Sequence, residues 1–168
     1  MFIVSYEIRE LFMVSTADYC VQLVNELYEG INPFSLSIAA REREGRMDEP
    51  SLTYGELTDQ SIAEILEVVK PQPGEIFYDL GSGAGKPVLW ASVLYPWRKC
   101  CGIELLTGLY ELSLQQAERL KLSAELAKLL PDLHLKIEFI NENFLDSNFS
   151  EANVVLTNAT AYSPELWT

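Results

Sequence analysis

Residues Ile76 to Lys86 read Ile-Phe-Tyr-Asp-Leu-Gly-Ser-Gly-Ala-Gly-Lys, and this stretch constrains the fold more than any other. Ile76, Phe77, Tyr78 and Leu80 suit a strand covered on both faces, stopping at Asp79. Gly81, Gly83 and Gly85 allow a sharp turn and let a ligand approach the backbone with no Cβ in the way. Pro87 fits the first turn of a following helix, where a missing N–H costs nothing. That helix would aim unpaired N–H groups back at the loop.

Spacing separates the ligands that such loops hold. A P-loop needs Gly-x-x-x-x-Gly-Lys-Ser/Thr. Here three residues separate Gly81 from Gly85, and Pro87 stands where the hydroxyl should be. The dinucleotide fingerprint Gly-x-Gly-x-x-Gly fails too: its sixth position falls on Lys86 counted from Gly81, and on Val88 counted from Gly83. What remains is acidic-x-Gly-x-Gly-x-Gly from Asp79 to Gly85. It resembles motif I of the class I S-adenosylmethionine (SAM) methyltransferases. An acidic residue beside the turn suits a ligand carrying an amine and a sulfonium, and repels a pyrophosphate.

The 168 residues suffice for one domain with its own core. A formal net charge of −13 argues against a standalone nucleic-acid binder, which carries a basic face. The cysteines, Cys20, Cys100 and Cys101, form neither a Cys-x-x-Cys nor an even framework, so no zinc site or disulfide set is indicated. On a strand, Cys100 and Cys101 would point to opposite faces as small buried residues. No basic leader and no uncharged run of about 20 residues is seen, so a reduced, cytoplasmic setting without membrane contact is expected.

In chain order, residues 1–14 suggest a strand or short helix. Ser15 to Glu29 suggests a helix capped by Ser15 and ended by Gly30 and Pro33, and Ser35 to Glu44 a second one. Arg41 to Pro50 reads as a charged surface loop. A helix capped at Thr58 or Asp59 carries the stripe Ile62, Ile65, Leu66, Val69. After the glycine turn come a helix from Pro87, a strand from Lys99 to Leu105 and a long helix from Thr107 to Leu130, with Ala117, Leu120, Ala124 and Ala127 on one face. Strands over Leu133–Ile140 and Asn153–Thr157 follow. The alternation implies an α/β fold with a parallel, Rossmann-like sheet. The expected division is a mostly helical segment over residues 1–50 and a ligand-binding α/β domain over 51–168.

Ligands of open parallel sheets bind beyond the carboxyl ends of the strands. Asp79 and the glycines follow the first strand, Glu104 ends the second, Asn143 and Phe144 follow the third, and Asn158 ends the fourth. Glu104 lies 19 residues past Gly85, where a carboxylate can accept both ribose hydroxyls of an adenosine. Phe144 can wall an adenine ring while Asn143 bonds its exocyclic amine. Asn158 offers an amide beside the reacting methyl. His134, the only histidine, reads as a surface residue.

Tyr54-Gly55-Glu56, Pro73-Gly74, Asp79 to Gly85, Gly102-Ile103-Glu104, Asn143-Phe144-Leu145, Val154 to Asn158 and Ser163-Pro164-Glu165 together resemble the disruptor-of-telomeric-silencing family of histone-lysine methyltransferases. The resemblance covers roughly residues 50–168. It implies SAM as cofactor and a protein lysine as methyl acceptor. By position, Tyr54 and Glu56 would fold over the methionine end, and Asp79, Gly81 and Gly83, with Gly85 completing the loop, would line methionine and ribose. Glu104 would hold the ribose, Asn143 and Phe144 the adenine, and Asn158 the mouth of the lysine channel. Lys86 departs from the family, which often has Gln there, as does Asn143, which replaces an Asp. A class I sheet has seven strands and four are read here, so the sheet is expected to be incomplete. Two other functions fit the same cofactor site: a small-molecule methyltransferase, and a SAM-binding module without catalysis.

Overall fold

In the computed structural model, residues 6–133 and 136–162 are described. Four parallel strands form one sheet: β1 (Ile76–Leu80), β2 (Lys99–Glu104), β3 (Ile137–Asn141) and β4 (Val154–Thr157), in the order β3-β2-β1-β4. The order reverses at β1, so β2 and β4 flank it, with Asp79 level with Gly102 on one side and Leu156 on the other. That reversal opens a crevice beyond the carboxyl end of β1.

The helices are α1 (Tyr6–Glu26), α2 (Pro33–Arg43), α3 (Asp59–Val69), α4 (Lys86–Leu94), α5 (Thr107–Lys121) and α6 (Ala124–Leu129). The main core joins Phe77 and Cys100 of the sheet to Val88, Leu89 and Trp90 of α4, Ile62 and Leu66 of α3, and Cys20 and Val24 of α1. Ile76, Tyr78, Leu80, Cys101 and Ile103 form a second cluster, packed by Phe144, Phe149 and Ala152. The adjacent cysteines therefore do serve opposite faces, as strand alternation requires. At the amino end of the sheet, Lys99 Nζ lies 2.8 Å from both Glu138 and Glu151, and the Tyr78 hydroxyl donates to Glu151 at 2.9 Å.

Several boundaries differ from the sequence reading. Ser15 does not start a helix but lies within α1, which runs unbroken from Tyr6 because no Gly or Pro interrupts it before Gly30. Pro33 starts a helix instead of ending one, behind an Asn32 side chain that accepts from the Ser35 N–H at 3.2 Å. The single helix expected over Thr107–Leu130 is two, because Ser123 Oγ accepts from the Leu126 N–H and caps α6. Ala117 and Leu120 are buried as expected, but past the break Leu126 takes the core position and Ala124 and Ala127 face solvent. Val69 is also exposed, and Leu80 continues β1 past Asp79. The third strand starts at Ile137, four residues later than expected; Leu133 is buried in the preceding turn. His134, Leu135 and Ser163-Pro164-Glu165 lie outside the described residues. No helix among the described residues is long and apolar enough to cross a membrane.

Candidate functional site

The turn after β1 is made by Gly81, Gly83 and Gly85, all at positive φ. Gly83 has no alternative. Its φ is +54°, and a Cβ there would lie 2.5 Å from Cε2 of Tyr54, whose ring rests on the turn. Gly85 caps α4 and hands the chain to Lys86 and Pro87. The Gly81 and Ser82 N–H groups both bond the Ile103 carbonyl, at 2.9 and 3.0 Å, so the turn is fastened to β2.

Two buried carboxylates meet there. Glu104 accepts from the Gly83 N–H through Oε2 and from the Leu106 N–H through Oε1, each at 2.7 Å. Burial raises its pKa, opposed by backbone N–H groups of Leu106, Gly83 and Leu105. Asp79 is as deeply buried but receives no hydrogen bond among the described residues. Burial first, and the Glu104 charge second, push its carboxyl up to about 8. Ser82 Oγ, also buried, has no hydrogen-bond partner either. A bare carboxyl and an idle hydroxyl beside the turn are groups that a ligand with cationic donors would satisfy.

Above the turn lies a cavity of about 350 Å³, within the range of small-molecule sites. Gly81, Gly83, Glu104, Asn143, Phe144 and Asn158 all line it. A smaller pocket adjoins it through Tyr54, Gly55 and Asn158, and adds Glu56, Asp79 and Lys86. The fold thus gathers the sequence-predicted residues around one crevice, from four strand ends and the segment before α3. Gly85 alone lines neither space; it sits behind the turn, against Phe139 and Ser113.

Asn143 has a second task. Its Oδ1 accepts from the Leu145 N–H at 3.1 Å and starts a turn, which leaves the amide NH₂ as its uncommitted polar end.

Tyr162 was missed by the sequence reading. Its ring stacks on Phe144, centroids 5.8 Å apart at 30°, and its hydroxyl lies 3.3 Å from the Leu80 carbonyl and 3.2 Å from Thr157 Oγ1. An aromatic four residues past the Asn158 strand end was the available signal. Leu106 and Leu109 form an apolar wall. Arg46 and Glu49 also line the cavity, so the expected surface loop is in part a wall. Arg41 fixes it, reaching the carbonyls of Met47 and Glu49 at 2.7 and 3.2 Å.

The family profile of the histone methylation protein DOT1 matches residues 47–168. The chain belongs to the DOT1 family. Its matched portion runs from the Arg46–Glu49 wall through all four strands. Among curated relatives, it is 34% identical over 116 residues to a histone-lysine N-methyltransferase, H3 lysine-79 specific, of Emericella nidulans. It is 30% identical over 115 residues to the protein of the same description from Aspergillus fumigatus. Each match takes in 67% of this chain and 23% of the relative, so the chain spans about a quarter of these curated relatives. Among solved structures, it is similar to a SAM-dependent methyltransferase from Geobacter sulfurreducens in complex with S-adenosyl-L-homocysteine. That match has a TM-score of 0.47 at 19% identity and covers 72% of this chain and 42% of the other.

Proposed function

We propose that this DOT1-family chain is the cofactor-binding part of a SAM-dependent protein-lysine methyltransferase. The observation that carries the reading is the pairing of Glu104 with the glycine turn at the base of one cavity. Glu104 is held by the Gly83 and Leu106 N–H groups, while Asp79 stands beside it with no donor. The residues present fit SAM. Glu104 would take the ribose hydroxyls, Asp79 the cationic amino-acid end, and Phe144 with Tyr162 the adenine face. Asn143 would meet the adenine edge with its NH₂ group, hence at a ring nitrogen and not at the exocyclic amine that the sequence reading assigned to it.

SAM supplies an activated methyl group on a sulfonium. The chain's own contribution is to bind, orient and exclude water. Tyr54, Gly55 and Glu56 cover the turn from above, and Asn158 lies beside them, its Nδ2 3.5 Å from where a Cβ on Gly55 would be. An acceptor amine entering at Asn158 would leave water on approach. Desolvation favours its neutral, nucleophilic form. A lysine acceptor is favoured over a small metabolite by the H3 lysine-79 specific relatives at 30% and 34% identity.

Two assays test this. SAM titrated into the chain by calorimetry should bind saturably and NAD should not. Labelled methyl should then pass to basic protein in preference to a panel of metabolites. Methyl transfer to metabolites alone would sink the lysine reading. A folded chain that fails to bind SAM would sink the cofactor reading.

A further inference from the structure

The segment over the glycine turn has an unusual anchorage. Tyr54 to Leu57 make no backbone–backbone hydrogen bond among the described residues. Two side chains hold the strap instead. The Tyr54 ring packs on Gly83 and meets Phe34 edge-on, centroids 5.1 Å apart. Its hydroxyl donates to Glu56 Oε1 at 2.7 Å. The other oxygen of that carboxylate, Oε2, accepts from Lys86 Nζ at 2.8 Å.

Lys86 is the one cation among the described residues lining the smaller pocket, where Glu56 and Asp79 are the acids. The Lys86 and Glu56 side chains are only 18% and 24% exposed. The ion pair is therefore far less screened than one on the surface. Nζ also lies 5.1 Å from the centre of the Tyr28 ring, whose hydroxyl donates to the Ala84 carbonyl at 2.7 Å. One ammonium thus ties the strap to the start of α4 and to the chain just past α1.

We propose that Lys86 is a positioning residue that clamps the Tyr54–Leu57 strap over the glycine turn through Glu56, and thereby governs how tightly the cofactor is retained. The retention half rests on the function proposed above; the clamp does not. Without the ammonium, Glu56 Oε2 would lose its partner, and no backbone–backbone hydrogen bond among the described residues would keep the strap in place. A Gln at this position could bond Glu56 but not neutralise it.

The test is chymotryptic cleavage of the Tyr54–Gly55 bond in the ligand-free chain, mapped by mass spectrometry. Cleavage after Phe77, in buried β1, monitors global unfolding. K86Q and E56Q should each speed cleavage at Tyr54 at least fivefold with the Phe77 rate unchanged. The double variant should be no faster than the faster single variant, and K86R should stay close to the native rate. Equal rates in native and K86Q, an unrescued K86R, or a parallel rise at Phe77 would each overturn the clamp.

S-adenosylhomocysteine calorimetry is the second arm. K86Q should bind at least fivefold more weakly, and unchanged affinity with a freed strap would overturn the retention half. A native chain that is cleaved as expected but binds no S-adenosylhomocysteine would instead overturn the cofactor reading and leave the clamp standing.

Discussion

The Glu104 carboxylate accepts a 2.7 Å hydrogen bond from the Gly83 N–H, so the end of β2 shapes the turn after β1. One carboxylate oxygen fixes the loop, and the other fixes the start of α5 through Leu106. Glu104→Ala should therefore weaken SAM binding at least tenfold, about 1.4 kcal/mol, and also lower the melting temperature. Glu104→Gln keeps an oxygen for one N–H and should lose less of both. Calorimetry and thermal melts on the two variants check the order.

Asp79 makes the site pH-sensitive. Its carboxyl, pushed up to about 8 in the ligand-free fold, sits near 3.9 in an unfolded chain. Its contribution to stability is fully present below pH of about 4 and is lost as pH rises through about 8. A cationic ligand favours the ionised form. SAM affinity should thus rise with pH and level off above pH of about 8, by up to about tenfold per unit. Asp79→Asn should flatten that profile, weaken binding, and raise the melting temperature of the ligand-free chain at pH of about 8.5. A native profile as flat as the variant's would refute the assignment.

Gly83→Ala should be worse than an ordinary glycine substitution. The φ of +54° is adverse for any Cβ, and the new methyl would press on Tyr54. The backbone cost alone is about 1–3 kcal/mol. Relief by moving Tyr54 would dislodge the strap. Loss of SAM binding together with faster chymotryptic cleavage at Tyr54 is the expected pair of outcomes.

Phe144 and Tyr162 act as one surface. The stacked pair is worth about 0.5–1.5 kcal/mol beyond its buried area, so Phe144→Ala and Tyr162→Ala should each cost at least that much stability, since each also removes buried ring surface. Their effects on SAM affinity should be less than additive in the double variant, because either loss frees the other ring. Additive losses in calorimetry would show that the rings act independently.

Much of this site was legible in the residues. A strand followed by alternating glycines leaves few backbone solutions, and an acidic residue at the next strand end follows from sheet geometry. What was misjudged shares a physical origin. The break at Ser123 and the start at Pro33 depend on single capping bonds, which compete with a continuing helix by only about 1 kcal/mol. The Arg41–Glu49 wall looked like solvated charge because the arginine anchoring it bonds backbone carbonyls, which carry no sequence signature.

The sequence by itself determined the strand–turn–helix unit, the parallel α/β alternation, and the delivery of polar groups to one sheet edge. These follow from local stereochemistry and from apolar strands buried on both faces. Only the tertiary structure decided that Asp79, with no hydrogen bond among the described residues, lies beside a Glu104 held at both oxygens, that Tyr162 backs Phe144, and that Lys86 closes the strap through Glu56. Each of these depends on which distant residues share a buried space. Burial, not residue type, sets the strength of a charge and the cost of leaving it unpaired.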